Sequence, residues 1–300
     1  MWSRADDGGI GPNSVGRRWL TDPSLTRSSG SVGRTPVILT PNVITSGCTM
    51  SKNTGPLPDW ELVLSSAARL QRILPDAVLV GGTASAVHAE HRFSRDADHV
   101  LTDLRIRFDE VLAQLESVAG WKTSRVQRPV QILGSLDGIE TGVRQLLRDE
   151  PLETEIVKFR GEKITVPTEG EILRIKGVLI LKRNATRDYL DFVALADHMG
   201  DEKVANALKS FDRIYRQDNG ESPLQQLQIQ LANPVPYDLE ETKLSEYKNL
   251  DQRWHDWNDV KKACSHIATV VFDRVCDMEP YLPGLPDLPR NSTGPELDQR

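Results

Sequence analysis

Two short strand patterns on either side of a glycine pair constrain the fold of this chain more than any other feature. Residues 77–80 form an apolar run typical of a buried strand, and Gly81-Gly82 closes it. The small residues at about 83–90 predict a helix, and residues 96–101 have the pattern of a second strand. Strand, helix and strand in immediate succession predict a small α/β sheet.

The second of these strands carries two carboxylates. On a strand, residues i and i+2 point to the same side, so Asp96 and Asp98 converge on one point at the sheet edge. Oxygen ligands of this kind suit Mg²⁺, and two-metal phosphoryl chemistry requires such a cluster. An isolated Asp-x-Asp is more often a solvated face or a turn, so the pair gains its weight from what precedes it.

The glycine pair supplies the complementary half of a phosphate site. Gly81 and Gly82 let the backbone approach a phosphate closely, and the helix that they open offers free N–H groups and a favourable dipole. Thr83 and Ser85 add hydroxyl donors. A lone Gly-Gly is usually only a turn, but the order strand, Gly-Gly, helix, Arg-x-Ser-x-Asp-x-Asp is hard to obtain by accident. The block therefore predicts a site for metal ions and a triphosphate.

The surrounding sequence extends this sheet into an α/β domain over residues 57–167. Apolar positions predict one amphipathic helix between Asp59 and Pro75 and another over 108–118. Further strands are predicted around 123–127, 130–136, 153–159 and 163–166.

From Thr168 the pattern becomes helical, which predicts a second domain over residues 168–280. Thr168 and Glu171 have the spacing of a capping box, in which the hydroxyl and the carboxylate satisfy each other's backbone N–H groups. Helices are predicted over 169–182, 186–198, 202–216, about 222–231, and 238–278 with a break. The predicted fold class is therefore α/β (α+β), with a small mixed sheet followed by helices.

The two ends of the chain lack the pattern of a packed core. Residues 1–56 are poor in large apolar residues and rich in Ser, Gly, Arg, Thr and Pro, so we expect a disordered leader. A start at Met50 is the alternative, in which case the leader is not part of the native protein. From Pro280, prolines at three-residue spacing suit an extended segment, interpreted as a loose tail over 281–300 rather than a docking motif.

Composition excludes several classes of protein. A net charge of −6 over 300 residues gives no footprint of a general nucleic-acid binder. No apolar run is long enough to span a bilayer, and the N-terminus lacks the apolar core of a secretory signal. Cys48, Cys264 and Cys276 lack metal-ligand spacing and cannot form a disulfide framework, so we expect reduced thiols in the cytoplasm.

Two blocks of the sequence resemble one known family. Gly-Gly-Thr-Ala at 81–84, followed by Arg-Phe-Ser-Arg-Asp-Ala-Asp at 92–98, is similar to the signature of AbiEii/AbiGii-type nucleotidyltransferases of the polymerase-beta-like superfamily. Leu-Arg-Ile-Lys-Gly and then Arg-Asn-Ala-Thr-Arg-Asp-Tyr-Leu-Asp, within 173–191, resemble the family's Lys…Arg…Arg-Asp-x-x-Asp region. The resemblance covers roughly residues 57–198, and residues 199–300 carry no matching motif.

The resemblance implies a role for most residues of the first block. The phosphate cradle would consist of Gly81, Gly82 and Thr83, and the metal ligands of Asp96 and Asp98.

Four further positions in or beside this block are less sharply defined by the resemblance. Ser94 and Arg92 would buttress the loop or touch phosphate. Ala97 stands where the family often has an aliphatic residue, which is compatible with a strand, and His99 after the pair is less usual.

Members of the superfamily often have a third metal-binding carboxylate on a later strand. Strand order favours Glu155 for this position, with Asp137 and Glu153 as alternatives.

The second block supplies a cation and two carboxylates on helices. The resemblance implies that Lys176 reaches the triphosphate, where a cation offsets charge on the leaving pyrophosphate, although the pattern fits a snorkelling surface lysine equally well. Asp188 and Asp191 share one helix face. Either they organise Lys176 or the acceptor, with Asp188 as a proton acceptor, or Asp188 favours the helix dipole and Asp191 pairs with Arg183 or Arg187.

The resemblance further implies a Mg²⁺-dependent transferase that uses an NTP as donor. Its acceptor would be RNA, including tRNA, or a protein, and the enzyme would be the toxin of a toxin–antitoxin pair, neutralised by a cognate antitoxin protein. One alternative is modification of a small molecule of the aminoglycoside kind, which would require an acidic acceptor pocket beside Asp96. A second alternative is a catalytically silent member that binds an NTP or a partner, and the presence of both Asp96 and Asp98 argues against it.

The remaining candidates have simpler interpretations. His88 and His91 are three residues apart at a helix end, but no third metal ligand is visible. Trp254, Trp257 and Tyr247 are able to stack on a base, but aromatics at helical spacing more often belong to a core. Three arginines form a candidate basic rim: Arg128, Arg144 and Arg148.

Overall fold

A computed structural model describes residues 37–38 and 59–275 of the chain. The strands are β1 (Val37–Ile38), β2 (Val78–Leu79), β3 (Asp96–Leu101), β4 (Trp121–Gln127), β5 (Gln131–Leu136), β6 (Ile139–Gln145), β7 (Thr154–Phe159) and β8 (Glu162–Pro167). The α-helices are α1 (Asp59–Ile73), α2 (Gly81–Ala89), α3 (Phe108–Glu116), α4 (Glu169–Arg183), α5 (Thr186–Met199), α6 (Asp201–Leu208), α7 (Phe211–Ile214), α8 (Pro223–Ala232) and α9 (Trp257–Val275). Two 3₁₀ turns span Leu244–Glu246 and Gln252–Trp254.

The strands form two sheets. The larger has five strands in the order β2-β3-β6-β5-β4, and the smaller has the order β1-β7-β8. Within the larger sheet β3 runs parallel to β6, and the other neighbours are antiparallel. The fold class expected from the sequence, a small mixed sheet followed by helices, is confirmed.

β6, the strand that lies between β3 and β5, was not predicted from the sequence. No strand was predicted between Asp137 and Glu153, because the residues of β6 do not alternate cleanly between buried and exposed positions. Asp137 and Gly138 both have positive φ, 54° and 84°, as in the tight turn that joins two antiparallel strands. An Asp-Gly pair after a strand pattern was therefore the available signal for this hairpin.

Helices cover one face of the five-stranded sheet. A core of buried apolar side chains from α1, α3 and the sheet includes Leu70, Val111, Leu115, Ile132 and Val143. A larger core joins α1, α2, β7 and β8 to the helices that follow. Helices α1 and α3 pack on the face of the sheet that forms the first core. The two aspartates lie on the opposite face, which these two helices do not cover.

The helical part departs from its prediction in two places. The helix expected over 202–216 is divided into α6 and α7, and the long helix expected over 238–278 begins only at Trp257. The segment before Trp257 uses its polar groups on other elements: the Asp238 carboxylate accepts hydrogen bonds from the N–H and hydroxyl of Thr186, both 2.7 Å. Its backbone also bonds to the loop before β3, so these groups are not available for a helix of their own.

The predicted capping box at α4 is only half formed. The Thr168 hydroxyl accepts a hydrogen bond from the N–H of Glu171 at 3.3 Å, as expected. The Thr168 N–H instead donates to the carbonyl of Glu153, at 2.9 Å. The Glu171 carboxylate is turned toward Arg148 at 2.7 Å and Arg174 at 2.9 Å. Charge-assisted bonds from two guanidinium groups stabilise a buried carboxylate more than one bond from a backbone N–H does.

Some sequence expectations concern residues that the structure does not describe. The loose tail over 281–300 and the leader over 1–56, which includes Met50, lie outside the described residues, apart from Val37–Ile38. Val37–Ile38 pair with β7 in parallel. In the described ranges, no helix is long and apolar enough to cross a membrane. Cys264 is a buried free thiol whose pKa burial raises to about 12.

His99 makes stability depend on pH. It is fully buried on β3, on the face opposite the two aspartates, and burial lowers its pKa from 6.5 to about 4, partly opposed by a hydrogen bond to the carbonyl of Ala97. Between pH 6.5 and about pH 4, the unfolded chain therefore binds a proton at His99 that the folded chain does not bind. We expect His99 to contribute a loss of up to about 3 kcal/mol in the free energy of unfolding as pH falls from 6.5 to 4.

Urea unfolding from pH 7.5 to pH 4 measures this loss. His99→Gln should show a shallower decline than the wild type over the same interval. An unchanged slope in the variant would assign the pH dependence to other groups.

Candidate functional site

The two aspartates of β3 lie on the same half-exposed face of the sheet. Burial alternates along this strand, with Asp96 and Asp98 partly exposed and Ala97 and His99 buried on the other side. Burial raises the pKa of the Asp98 carboxyl, and neighbouring Asp96 adds to the effect. Asp98 therefore lies where a positive charge would be stabilising.

The glycine pair is packed directly against this strand and the loop before it. Gly81 has a φ of +76°, and a Cβ added there would lie 3.7 Å from the Cβ of Asp98. A Cβ on Gly82 would lie only 2.6 Å from an Arg92 Nη and 3.0 Å from the Ser94 hydroxyl. The glycines thus let the start of α2 approach the residues of the Arg-x-Ser-x-Asp-x-Asp segment.

Hydroxyl groups fix the carboxylate strand to its surroundings. Ser94 donates a hydrogen bond to the Asp96 carboxylate at 2.6 Å, which orients that side chain. Thr83 is fully buried, and its hydroxyl donates to the backbone carbonyl of Asp96. Ser85 donates to the carbonyl of Gly81 at 3.0 Å. Ser94 therefore positions a carboxylate, whereas Thr83 and Ser85 tie α2 to the strand and to itself.

Arg92 joins the two sequence blocks. Its guanidinium is 7% exposed and donates two hydrogen bonds to the Asp191 carboxylate, at 2.7 and 3.0 Å. Burial alone would raise the pKa of Asp191, but the charges of Arg92 and Lys176 and a hydrogen bond from His91 hold it well below its usual range. The carboxylate of α5 is thus ionised and holds the loop that precedes β3.

Lys176 lies inside this arrangement rather than at the surface. Its side chain is 2% exposed, and its ammonium is 2.6 Å from Asp191 and 3.6 Å from Asp188. His91 completes the set at 2.8 Å from Asp191, and burial lowers its pKa, so its neutral ring donates to that carboxylate. The snorkelling position considered from the sequence is wrong, since the ammonium pairs with carboxylates on α5.

The carboxylate of Asp188 is also paired with a cation. It is fully buried and accepts two hydrogen bonds from Arg183, at 2.7 and 2.9 Å. The alternative in which Asp191 pairs with Arg183 or Arg187 is therefore wrong: Asp191 takes the buried cations Arg92 and Lys176, and Arg183 pairs with Asp188.

Three arginines act electrostatically on Asp98. Arg144 of β6 places a guanidinium nitrogen 3.7 Å from the Asp98 carboxylate. Arg183 and Arg187, at the end of α4 and the start of α5, also lower the pKa of Asp98 against the larger effect of burial. All three side chains are exposed, so their charges act on Asp98 from the protein surface.

The carboxylates proposed from strand order lie elsewhere. Glu155 is on β7, in the other sheet, with an oxygen 3.9 Å from a nitrogen of His88. Asp137 is in the β5–β6 turn and pairs with Arg69, and Glu153 pairs with Arg174 at 2.9 Å. None of the three is on β6, the strand that borders β3.

Glu140 is the acidic residue that the sequence analysis overlooked. Its Cα pairs with that of Asp96 in the parallel β3–β6 register, so both side chains leave the same face of the sheet. It was missed because β6 itself was missed, and the Asp-Gly turn two residues earlier was the signal that would have located it.

The donor set fits a divalent cation of the magnesium type. Asp96 and Asp98 provide two oxygen ligands on one face, and Mg²⁺ in phosphoryl-transfer sites is commonly bound by one or two carboxylates together with water and substrate phosphates. In the described part of the chain, no cluster of three or more His, Cys, Asp or Glu side chains is arranged to hold a metal ion.

The other residues considered from the sequence contact neighbouring groups of the protein. His88 contacts the carbonyl of Pro167 at 2.7 Å. Trp254 is buried, and Trp257 packs edge-on against Tyr189. Of the three rim arginines, Arg128 pairs with Asp109, Arg148 with Glu171, and Arg144 with Asp98.

The irregular segment before α9 closes over the loop before β3, which the sequence did not indicate. The N–H of Phe93 donates to the carbonyl of Lys248 and the N–H of Asp251 to the carbonyl of His91, both at 2.8 Å. The Tyr247 ring lies 5.5 Å from the Arg92 guanidinium carbon. This segment therefore supports the site from outside the two sequence blocks.

No family model matches the chain. Among curated proteins, the heme uptake protein MmpL11 of Mycobacterium tuberculosis is 30% identical over 241 residues, which is 73% of this chain and 23% of that protein. The mycolic acid-containing lipids exporter MmpL11 of Mycolicibacterium smegmatis is 28% identical over 218 residues, 72% of this chain and 22% of that protein. The chain thus spans less than a quarter of the length of these relatives.

The solved structures similar to this chain include nucleotidyltransferases. A putative nucleotidyltransferase from H. pylori has a TM-score of 0.45 and 18% identity, covering 73% of this chain and 98% of that one. ANT(2")-Ia in complex with adenylyl-2"-tobramycin has a TM-score of 0.39 and 12% identity, covering 51% and 97%.

Proposed function

We propose that this chain is a Mg²⁺-dependent nucleotidyltransferase that moves a nucleotide from an NTP to a macromolecular acceptor. One observation carries the proposal: the half-exposed pair Asp96 and Asp98 faces the Gly81 start of α2. A metal-binding carboxylate pair and a phosphate-binding helix start are thereby adjacent, and phosphoryl transfer requires both.

The donor triphosphate is expected to bind at the start of α2. That helix has no acidic residue in its first turn and no side-chain cap on its free N–H groups, so both its dipole and its donors favour an anion. The charges of Arg183 and Arg187 reach Asp98 and would complement the phosphates. In this arrangement Thr83 supports the helix start through its bond to Asp96, and its hydroxyl is not offered to phosphate.

The reaction proposed for this site is an in-line displacement. The acceptor hydroxyl oxygen forms a bond to the α-phosphorus of the NTP, the bond from that phosphorus to the bridging oxygen breaks, and pyrophosphate leaves. A divalent cation on Asp96 and Asp98 would stabilise charge on the attacking and leaving oxygens. The proton of the acceptor hydroxyl passes to a carboxylate of this site as its oxygen attacks.

Lys176, Asp188 and Asp191 take positioning roles in this proposal. Their charges are paired with one another and with Arg92 and Arg183 inside the protein, so they fix the loop before β3 instead of touching substrate. The charge needed near the leaving pyrophosphate then comes from the exposed arginines.

The family resemblance supports the finer part of the proposal. It favours RNA, including tRNA, or a protein as acceptor and the role of toxin in a toxin–antitoxin pair, whereas the cytoplasmic location is proposed from the reduced thiols expected from the sequence. A neighbouring gene for an antitoxin and arrested growth on expression without it would support the toxin role. Harmless expression without a partner would contradict it.

Modification of a small cationic molecule is the second candidate. It shares the donor site but requires an acidic acceptor pocket, whereas the charges of Arg144, Arg183 and Arg187 all act on Asp98. This positive surround favours an anionic acceptor. The names of the curated relatives concern whole proteins of which the chain matches less than a quarter, so they give no argument for its chemistry.

A transfer assay tests the proposal directly. The protein is incubated with Mg²⁺, each α-labelled NTP in turn, and total RNA, a protein extract or tobramycin. Label on RNA or on protein supports the macromolecular acceptor, and label on tobramycin supports the second candidate. Absence of transfer to all three, together with equal NTP binding by the wild type and Asp98→Ala, would contradict the enzyme and favour the catalytically silent alternative.

A role of Glu140 beside the aspartates is a separate prediction. We expect Glu140→Gln to lower the transfer rate at least about tenfold, equivalent to about 1.4 kcal/mol, because Glu140 leaves the same sheet face as Asp96. Glu155→Gln serves as the matched control, since Glu155 lies in the other sheet, and we expect less than a twofold change. The reverse order of effects, measured as initial rates at saturating Mg²⁺, would restore Glu155 as the metal ligand.

A further inference from the structure

The face of the five-stranded sheet that carries the aspartates continues across three more strands. The β3–β6 register pairs Asp98 with Gly142, the β6–β5 register pairs Gly142 with Leu133, and the β5–β4 register pairs Leu133 with Arg125. Directly paired residues point to the same side of a sheet. A row thus runs from the carboxylate pair to Arg125 on the edge strand, and we call these four residues the acceptor row.

An irregularity in β4 places a second cation on this face. The β4–β5 register shifts between Thr123 and Arg125, so that Lys122 pairs with Ser135 and Arg125 with Leu133. Without the extra residue, Lys122 and Arg125 would leave opposite faces, because side chains alternate along a strand. The bulge re-aims Arg125, and both cations then share the face with Asp98.

The acceptor row is shallow in the middle and charged at its ends. Gly142 has no side chain, and half-buried Leu133 lies over it: a Cβ on Gly142 would be 2.4 Å from a methyl of Leu133. On one side the row is flanked by Arg144, and on the other by Glu140. Lys122 and Arg125 are exposed on the edge strand, and no ion pair occupies either of them in the described part of the chain.

The dimensions of the row indicate the class of ligand. From β3 to β4 there are three strand spacings, about 14 Å. A single phosphate beside Asp98 cannot also reach Arg125 over this span, but a chain with a negative charge at every unit can. The reacting end must also carry a hydroxyl beside Asp98.

We propose that the acceptor row, with Arg144 and Lys122 beside it, binds a single-stranded nucleic acid whose terminal hydroxyl lies at Asp98. This inference rests on the proposed function. A nucleic acid strand carries the nucleophilic hydroxyl and regularly repeated phosphates in one molecule, so it matches a hydroxyl-activating site at one end and cations at the other. The net charge of the chain is −6, so binding by this face is local and requires the clustered cations.

Binding without any NTP tests the surface independently of catalysis. Anisotropy of a labelled 12-nucleotide single-stranded RNA with a free 3′ hydroxyl is measured on the full chain between 50 and 200 mM salt. We expect Lys122→Glu/Arg125→Glu to weaken binding at least about tenfold at the lowest salt. The slope of log affinity against log salt should fall by about 1.4, at about 0.7 for each lost contact to a single strand.

The matched control is Arg216→Glu/Lys261→Glu, which makes the same change in net charge on exposed residues of the helical part. We expect less than a threefold effect from this pair. Lys122→Gln/Arg125→Gln should give an intermediate loss, and thermal melting of each variant shows that its fold is retained.

Three results would overturn the inference. One is the absence of RNA binding by the wild type, and another is equal weakening by the control pair. The third is displacement of the RNA by polyglutamate as readily as by unlabelled RNA, which would assign the face to an acidic protein. A failure of nucleotide transfer with the expected binding results would leave the surface standing and would contradict only the proposed function.

Discussion

Replacing Asp98 with asparagine is expected to lower the rate of nucleotidyl transfer by about a thousandfold without destabilising the protein. The loss follows from removal of one of two carboxylates that would hold the metal ion, and corresponds to about 4 kcal/mol of activation free energy. Burial raises the pKa of Asp98, so its charge is unfavourable in the folded state, and a neutral side chain of the same shape relieves that cost.

Two measurements separate this effect from damage to the fold. Initial rates are taken over a range of Mg²⁺ concentrations, and the free energy of unfolding is measured in urea without metal. We expect Asp98→Asn to be at least as stable as the wild type. Asp109→Asn, on an exposed residue that pairs with Arg128, is the control and should retain its rate. A rate within tenfold of the wild type for Asp98→Asn would remove the carboxylate pair from the mechanism.

Asp191→Asn is expected to cause the largest loss of stability, about 3–5 kcal/mol. Asp191 is fully buried and is the shared partner of Arg92, Lys176 and His91. Without the charge of Asp191, the Arg92 guanidinium and the Lys176 ammonium remain buried with too little negative charge to neutralise them. The Arg92 guanidinium also lies beside Gly82. Without its bonds to Asp191, we expect the loop before β3 to lose its position and the transfer rate to fall as well.

The control for Asp191 is a carboxylate on the surface of the same helix. Asp197 pairs with Arg253, and both side chains are nearly half exposed, so Asp197→Asn should cost no more than about 1 kcal/mol. Urea unfolding gives both values. If Asp191→Asn were as stable as Asp197→Asn, the buried charges would have to be compensated by other groups, and the positioning role would fail.

Much of the fold was predictable because it rests on local patterns. The apolar periodicity predicted α1, α4, α5 and α8, and the strands of the α/β part except β6. The helix expected over 238–278 failed because hydrogen bonds from distant parts of the chain decide the path of residues before Trp257. Local helix propensity does not depend on such long-range hydrogen bonds, so it cannot predict them.

The sequence by itself determined the order strand, glycine pair, helix and strand, and with it the common face of Asp96 and Asp98. Both follow from alternation along a strand and from pairing between near neighbours. Only the tertiary structure decided the environment of each charge. It buried Lys176, paired Arg92 with Asp191, placed Glu140 instead of Glu155 beside the aspartates, and aligned Arg125 with Asp98. These outcomes depend on which strands pair and on which charges find partners out of water, and neither is fixed by the spacing of residues along the chain.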